Sequence, residues 1–476
     1  MKSRLLSLSK DEFHLSDETF SDLELDKVVQ IMARQDRAVA KTCSLVLRHP
    51  TASRTTIIQR QHVLEDFINY EAAFKQLYQT VHAAISKAER IWGEMDSVYA
   101  SIPVNLETAT AYLKIYLQNL KKVQAVLTKT DFQSEGLIRL QAEISKYLPG
   151  EYAQAIALLD RLRNYKQLLM RAYLSNDLRG RDYQLLAYQE KLIDFHWLHT
   201  PRLKLAPRDD AGANDFAFRK GTALAPIAAI LVKSAKTIIS FYQELARDLE
   251  FYQGALNLYH FLQEKALQTA WPIVLPTDSF RRKFVELHNA GLAGHATDIG
   301  NSLDIQGKNL YLISGTNQGG KTTFLKSLGQ AQVMMQCGLF VVAKEFQAPV
   351  RLAILSHFKK AEDHGLQSGK LEEELRRMNQ LVAQIRQPSL FLLDESFAST
   401  NEREGSLINE KIYAGLRATG NEIVSVTHLF SLAKFYATDI NAVSLIASAS
   451  RNFKIFPGQP KPTANGLDLY RRIFAS

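Results

Sequence analysis

A glycine-rich loop between a strand-like run and a helix-like run constrains this chain more than any other feature. The segment NLYLIS precedes Gly315, and a candidate helix follows Thr322 and ends near Gly338. With Gly320 and Lys321 these residues satisfy the pattern G-x-x-x-x-G-K-[ST]. In such a loop the backbone N–H groups converge on phosphate oxygens, and the new helix adds its positive N-terminal end. The motif therefore predicts a phosphate-binding site within an α/β sheet.

Two later strand-like runs end in polar residues that suit the same site. SLFLLDE delivers Asp394 and Glu395, and EIVSVTH ends in His428. Because the carboxyl ends of parallel strands share one edge of a sheet, we expect these residues beside the loop. Thr322 and Asp394 would hold Mg²⁺, Lys321 would neutralise the β- and γ-phosphates, and Glu395 would activate water. His428 would contact the γ-phosphate or the water, and a structural role for this lone histidine is the alternative.

The order of the remaining segments predicts two main parts in a chain of 476 residues. The first part is rich in helix formers, whereas the second alternates short aliphatic runs with helical ones. The aliphatic runs are Leu310 to Ile313, Val350 to Leu355, Leu390 to Leu393 and Ile423 to Val426. We predict an N-terminal extension over 1–21, an α-helical core and lever domain over 22–271, and an α/β P-loop NTPase domain with a mainly parallel sheet over 272–476.

Within the helical part, an apolar seam runs from Ile238 to Tyr259 at spacings of three and four residues. Such a seam is typical of a long helix packed in a bundle, with a free coiled-coil dimer as the alternative. Residues 200–221 concentrate Pro, Gly and Asp without a helical period, which predicts a long loop between two helical arms.

Charge and cysteine content limit the classes of protein and of partner. The formal net charge of +9 and the pI near 9.2 are compatible with a polyanion such as DNA. Cys43 and Cys337 are the only cysteines, which argues against a disulfide framework and a cysteine-rich zinc site. The longest apolar run, from Ala223 to Val232, is shorter than the ~18 residues of a membrane span, and the N-terminus lacks a secretory pattern. We therefore expect a cytoplasmic protein without a membrane partner.

Three motif segments resemble the MutS family of DNA mismatch repair ATPases. SGTNQGGKTTF is similar to the family's nucleotide loop, matching it at Asn317, Gly319 and Gly320. LFLLDESFASTNEREG is similar to its acidic segment, with Thr400 and Gly405 in place, and SVTHLFSLAKF is similar to its Thr-His segment. Residues 22–67 and 248–272 resemble the start of the helical core and the lever helix that leads to the ATPase domain.

The resemblance implies an ATPase that uses Mg²⁺, forms a homodimer through its ATPase domain, and couples its nucleotide cycle to DNA binding in repair or recombination. EDHGLQSGKLEEELRRM resembles the stretch that reaches the nucleotide of the partner subunit. Ser368 and Glu374 match this stretch loosely, Leu371 replaces an aromatic residue, and a solvated helix face is the alternative for the acids. The residues implied for nucleotide binding are Gly315, Thr316, Asn317, Gln318, Gly319, Gly320, Lys321, Thr322, Thr323 and Ser368.

Two further segments resemble the family at the margins of the ATPase part. GNSLDI, residues 300–305, is similar to the stretch near the adenine, and ANGLDLYRRI is similar to the C-terminal segment, with Asn465 in place of Tyr. The core-like segment begins within about 25 residues of Met1. We therefore expect a short form without the mismatch-recognition and connector domains, and the completeness of a DNA clamp stays open.

Three alternatives remain at this point. The chain could bind DNA without recognising mismatches, through a basic cluster for which surface solubility is the other explanation: Arg179, Arg181, Arg202, Lys204, Arg208, Arg219 and Lys220. An ABC- or SMC-like ATPase is disfavoured, because no LSGGQ-type signature precedes the acidic strand and the helical mass precedes both nucleotide motifs. A nucleotide-gated scaffold that binds only protein is the third.

Overall fold

The computed structural model describes residues 2–6, 11–91, 101–148, 152–163, 167–176, 180–189, 210–316, 319–360, 369–448, 452–460 and 474. In chain order its elements are α1 (Asp17–Asp22), α2 (Leu25–Ala33), α3 (Arg37–Leu47), α4 (Arg54–Asn69), α5 (Glu71–Glu89), α6 (Ile102–Lys129), α7 (Glu135–Tyr147), α8 (Tyr152–Arg163), β1 (Gln167–Leu174), β2 (Gly180–Gln189), α9 (Asp210–Glu264), β3 (Ile273–Leu275), β4 (Arg281–Leu287), β5 (Asn301–Gln306), β6 (Leu310–Gly315), α10 (Lys321–Gln336), β7 (Glu345–Pro349), β8 (Ala353–Phe358), α11 (Lys370–Val382), β9 (Ser389–Asp394), α12 (Glu402–Ala418), β10 (Glu422–Val426), α13 (Phe430–Tyr436), β11 (Ala442–Ala447) and β12 (Ile455–Pro457).

The chain divides into two compact units. A helical unit comprises Met1–Leu5 and Asn69–Leu249, and an α/β unit comprises Leu6–Ile68 and Glu250–Ser476. In this division residues 6–68 and 250–271 group with the α/β part, and the predicted domain boundaries stay a prediction. A helical N-terminal part followed by an α/β part was predicted, and that coarse arrangement is confirmed.

In the helical unit, α9 packs on α6 through the predicted seam. The Tyr116 and Tyr242 rings lie 4.5 Å apart, and the Tyr242 hydroxyl donates to the Tyr116 carbonyl at 3.0 Å. Tyr259 of the seam is half-buried, and the other six seam residues are buried: Ile238, Tyr242, Leu245, Leu249, Tyr252 and Leu256. The apolar period of this helix therefore predicts its packed face correctly.

Two predictions for the helical part are wrong. β1 and β2 form an antiparallel hairpin inside a stretch that was predicted to be helical. Turn formers at Ser175, Asn176 and Gly180 allow two strands to pair here, and this pairing overrides local helix propensity. The predicted loop is also partly wrong, because residues 210–221 form the start of α9. These residues are largely exposed and therefore have no apolar period. Residues 200–209 lie outside the described part.

One described helix, α9, is long and apolar enough to cross a membrane by length and composition alone. Its most apolar 18-residue window has a mean hydropathy of 1.6 and is 33% buried. The sequence prediction counted uninterrupted apolar residues, whereas a window average tolerates isolated polar ones. Core helices of soluble proteins pass the same test, so the absence of a membrane partner stays a prediction.

A six-stranded sheet forms the centre of the α/β unit, in the order β12-β11-β6-β10-β9-β8. Its strands are parallel except for β12, which pairs antiparallel with β11. Leu310, Leu390 and Ile423 lie on its three central strands and are fully buried. A second, mixed sheet has the order β3-β7-β4-β5. The mainly parallel sheet is therefore confirmed, and its central strands end at one edge.

Buried glutamines of α10 explain why the N-terminal helices belong to the α/β unit. The Gln330 side chain donates to the Leu23 carbonyl at 2.8 Å, and that of Gln336 donates to the Thr51 carbonyl at 3.0 Å. A buried amide without a partner is costly, so these carbonyls are required neighbours of α10. In the sequence the glutamines resemble a solvated helix face, which is why this packing was not predicted.

Candidate functional site

The glycine-rich loop joins β6 to α10 in the way that the motif predicts. Gly315 has φ +128°, and a Cβ built on it would lie 3.0 Å from the backbone N and O of Ala447 on β11. Gly320 has φ +82° and caps the N-terminus of α10. Both positions therefore require glycine, one for lack of space and both for their backbone conformation. Asn317 and Gln318 lie outside the described residues.

Lys321 points its ammonium group into this loop. The side chain is buried, and Nζ donates to the carbonyls of Gly315 at 3.1 Å and Thr316 at 2.9 Å. Burial lowers the Lys321 pKa, while the nearby carboxylates of Glu395 and Asp394 act in the opposite direction. The loop thus holds one positive charge against the convergent backbone of a phosphate-type cradle.

Thr322 and Asp394 bring two oxygen ligands together beside the loop. The Thr322 hydroxyl donates to the Asp394 carboxylate at 2.9 Å. Burial raises the pKa of Asp394, and the hydrogen bond from Thr322 opposes that rise. Hydroxyl and carboxylate oxygens are ligands that suit Mg²⁺. Within the described residues no cluster of three His, Cys, Asp or Glu side chains could hold a metal, so most ligands would have to come from phosphate and water.

Glu395 and His428 form a close pair at the ends of β9 and β10. Glu395 Oε1 lies 2.7 Å from His428 Nε2, and Oε2 lies 3.6 Å from Lys359 Nζ. The hydrogen bond with His428 is the main cause that lowers the pKa of Glu395 to about 2. Parallel pairing of Val426 with Asp394 sets these two strand ends side by side. The carboxylate is therefore ionised and oriented by a neighbouring ring nitrogen.

These residues line a cavity of about 460 Å³. The lining comprises Leu292, Thr297, Asp298, Ile299, Asn301, Gly319, Gly320, Lys321, Thr322, Thr323, Phe324, Ser327, Glu395, His428 and Phe453. The structure thus brings the loop, the helix start and two of the three predicted strand-end residues to one space. Asp394 adjoins it through Thr322.

Phe453 is a lining residue that the sequence did not indicate. It has φ +55°, its Cβ lies 3.1 Å from where a Cβ on Gly320 would be, and its carbonyl accepts from the Asn301 side chain at 3.3 Å. Phe453 lies between β11 and β12 outside any recognised motif, so no local signal marks it. Asn301 belongs to the segment predicted near the adenine and does line the cavity.

The remaining predicted residues are less closely joined to the site. Ser368 lies outside the described residues, as does Asn465. Glu374 lies on α11 and is half-buried, and burial raises its pKa. Gly405 is packed so tightly that a Cβ on it would lie 2.6 Å from the Phe397 carbonyl, which ties α12 to the segment after Glu395.

Two family models match the chain. The model for the MutS2 N-terminal domain matches residues 52–265, and the model for MutS domain V matches residues 311–456. The second match spans β6 to β12 and therefore contains the glycine-rich loop and both strand ends. The first match covers most of the helical part.

Curated relatives agree with these matches. Endonuclease MutS2 of Thermus thermophilus is 29% identical over 216 residues, which cover 44% of this chain and 28% of that protein. Endonuclease MutS2 of Latilactobacillus sakei is 31% identical over 185 residues, covering 37% and 23%. DNA mismatch repair protein MSH1, mitochondrial, of Arabidopsis thaliana is 28% identical over 167 residues, covering 35% and 14%.

The chain thus spans less than a third of the length of these relatives. The two family matches nevertheless fall on both of its main parts, and the segment with the glycine-rich loop, the acidic pair and the histidine is the one that matches MutS domain V. On these grounds the chain belongs to the MutS family.

Proposed function

We propose that this chain binds and hydrolyses ATP with Mg²⁺ in a P-loop NTPase site, and couples that cycle to DNA binding in repair or recombination. One observation carries the proposal: Lys321, the Thr322–Asp394 pair and the Glu395–His428 pair all adjoin one cavity behind a glycine-rich loop. A structural loop would not need a cation, two oxygen ligands and an oriented carboxylate at the same place.

Each side chain has a separate task in this proposal. The loop N–H groups and Lys321 would bind the β- and γ-phosphates, which carry the charge that changes during transfer. Glu395 would accept a proton from a water that attacks the γ-phosphorus, and the bond to the β–γ bridging oxygen breaks as ADP leaves. His428 orients the Glu395 carboxylate at 2.7 Å. Because Glu395 is a weak base while it is paired, we expect bound nucleotide to loosen that pair.

Thr322 and Asp394 fit the metal by ligand type and position, since their oxygens lie 2.9 Å apart at the start of α10. Mg²⁺ bound there would supply charge neutralisation between phosphate oxygens. The protein's part is to hold the two oxygens in place. The buried carboxylate, with its raised pKa, would gain from a cation beside it.

The hydrolysis proposal is tested by phosphate release under saturating ATP and Mg²⁺. Lys321→Ala is expected to weaken ATP binding and abolish turnover, because it removes the only cation that contacts the loop carbonyls among the described residues. Lys344→Ala is a matched control, since Lys344 is an exposed lysine of the same unit that pairs with Glu286. Equal phosphate release by wild type and Lys321→Ala would refute the proposal.

The distribution of charge supports DNA binding by the helical unit. Residues 1–5 and 69–249 contain 26 Lys and Arg against 19 Asp and Glu, so this unit carries +7 of the net +9. The α/β unit is almost neutral by the same count. A polyanion is therefore expected to bind the helical unit more strongly.

A groove between α5 and α6 offers a basic surface. It has a volume of about 470 Å³ and is lined by Lys87, Ile115, Gln118, Asn119, Lys121, Lys122 and Ala125. No acidic side chain is among these described lining residues. Of the predicted basic cluster, Arg219 pairs with Asp215 at 2.5 Å, and Arg181 lies 3.8 Å from Asp182. Arg179, Arg202, Lys204 and Arg208 lie outside the described part.

The DNA proposal is tested by measuring ATP turnover with linear, mismatched and branched duplexes at two salt concentrations. Stimulation that declines with salt would support phosphate contact. Turnover that none of these DNAs changes would favour the nucleotide-gated scaffold. The homodimer through the ATPase domain, with Ser368 reaching the partner's nucleotide, is a proposal that sedimentation with and without ATP tests.

A further inference from the structure

The segment after β9 holds two residues in a conformation that side chains rarely adopt. Glu395 has φ +52° and Phe397 has φ +58°. Such a conformation is costly for a residue with a side chain and persists only where its surroundings hold it. The Glu395 N–H donates to the Val426 carbonyl at 2.9 Å, and the Glu395 carbonyl accepts from the Ala398 N–H at 3.3 Å. His428 holds the tip of the Glu395 carboxylate, and the direction in which this side chain leaves the backbone also depends on what holds Ser396 and Phe397.

His357, near the end of β8, contacts Ser396 and Phe397. The side chain is fully buried. Its Nδ1 lies 2.8 Å from the Ser396 hydroxyl, and its ring packs nearly parallel to Phe397 with 5.6 Å between centroids. On the other side, Nε2 lies 3.3 Å from the Glu374 carbonyl of α11. One ring therefore joins the acidic segment to α11.

The partners fix the protonation of this ring. The Glu374 carbonyl can only accept, so Nε2 carries the hydrogen, and the bare Nδ1 faces the Ser396 hydroxyl, which can donate to Nδ1 or to the His357 carbonyl at 3.3 Å. The other neutral form would set a bare Nε2 against a carbonyl oxygen. Burial lowers the His357 pKa to about 4, in agreement with a neutral ring.

Two other contacts hold the segments that His357 joins. Asn409 of α12 donates to the Ser396 carbonyl at 3.0 Å. Arg377 of α11 donates to the Phe358 carbonyl at 3.0 Å, which fixes α11 to β8 next to His357. A movement of α11 would therefore change the Glu374 contact first, then the ring, and then Ser396 beside Glu395.

We propose that His357 is a positioning residue for the reaction, which keeps Glu395 directed at its water by holding Ser396 and Phe397, and through which α11 acts on that carboxylate. The role rests on the proposed ATP hydrolysis. His357 itself does not touch the cavity lined by the loop.

A matched pair of substitutions tests this role. His357→Phe retains an aromatic ring against Phe397 but removes both hydrogen bonds. His357→Gln supplies one donor and one acceptor for the same partners. We expect kcat of His357→Phe to fall about 10- to 100-fold with ATP affinity within about twofold, and His357→Gln to recover most of the loss, because misplacing a base by about 1 Å is that costly.

A second background separates positioning from general damage to the fold. When His357→Phe is added to Glu395→Gln, no further loss of turnover is expected, because the carboxylate to be positioned is already absent. Equal losses in both backgrounds, or a matching loss of ATP affinity, would overturn the role. Unchanged turnover in His357→Phe would overturn it while leaving the proposed hydrolysis intact, whereas a wild-type protein without turnover would overturn both.

If the variants fail to fold, the wild-type ring still answers the question. Nitrogen NMR distinguishes the two neutral forms of histidine at pH 7. A hydrogen on Nε2 and a bare Nδ1 are expected for His357. A hydrogen on Nδ1 would leave a bare Nε2 against the Glu374 carbonyl and would contradict the link to α11 on which the role depends.

Discussion

The two units of this chain place their charges in opposite ways. In the α/β unit, charge is buried: Arg282 and Arg351 both contact Glu422 at 3.0 Å, and all three side chains are at most 1% exposed. In the helical unit, an apolar seam makes the core and the excess positive charge lies on the surface, as at Lys87 and Lys122. Buried charge fixes distances, whereas surface charge sets an attraction that tolerates variation in geometry. The proposed chemistry therefore falls in the α/β unit and the proposed DNA binding in the helical unit.

The largest effect is expected in the α/β unit, at Glu395. Glu395→Gln retains the shape but removes the base, so kcat is expected to fall about 10³-fold while ATP affinity is retained. Single-turnover phosphate release and equilibrium ATP binding measure the two quantities. Glu345→Gln, an exposed carboxylate of the same unit, is the control. A variant that hydrolyses ATP as fast as wild type would break the assignment of chemistry to this residue.

Next in size is the loss of the buried charge cluster. Glu422→Ala leaves two arginines without their shared partner, so the α/β unit is expected to lose about 3–5 kcal/mol of unfolding free energy. Urea unfolding followed by tryptophan fluorescence measures it. Glu345→Ala removes an exposed pair with Lys283 and is expected to cost at most about 1 kcal/mol. Similar losses in the two variants would remove the distinction between buried and surface charge.

The same cluster predicts how stability depends on pH. Burial alone would raise the pKa of Glu422, but Arg282 and Arg351 lower it to about 2 from a usual value near 4.5. A carboxyl with a depressed pKa in the folded state stabilises above the unfolded pKa and loses that contribution as pH falls towards 2. Wild-type unfolding free energy is therefore expected to fall between about pH 4.5 and 2, and more steeply than in Glu422→Ala. Parallel pH curves for the two proteins would contradict this expectation.

The smallest effect is expected on the surface of the helical unit. Reversing Lys87, Lys121 and Lys122 to Glu is expected to weaken DNA binding about 10- to 100-fold and to reduce the slope of log affinity against log salt by about three. ATP turnover without DNA should not change. Reversing Lys308 and Lys344 of the α/β unit is the control. If DNA affinity and its salt slope are both retained, the polyanion binds somewhere other than the α5–α6 groove.

The sequence predicted the parts whose signals are local. A loop with fixed glycines and a strand that ends in an acid are each contained in a few consecutive residues, which is why Gly315, Thr322 and Asp394 were predicted next to one another. Parallel pairing then does the rest, because it sets strand ends at one edge.

What the sequence did not predict depends on distant partners. His357 contacts Ser396 from 39 residues away, and Arg282 contacts Glu422 from 140 residues away. Neither spacing is a period or a motif. Gln330 and Gln336 look like solvated residues until the Leu23 and Thr51 carbonyls lie against them. Such polar contacts form only when the packed fold brings distant segments together, so residue type and local spacing do not reveal them.

The proposed function requires that the glycine-rich loop and the acidic strand end meet around one metal–triphosphate. Replacing Mg²⁺ with Fe²⁺ and adding ascorbate and peroxide makes the metal cut the nearest backbone, and mass spectrometry identifies the fragments. We predict ATP-dependent cuts next to Thr322 and next to Asp394, and we expect excess Mg²⁺ to suppress both. Cuts at only one of these places, or the same cuts without ATP, would contradict it.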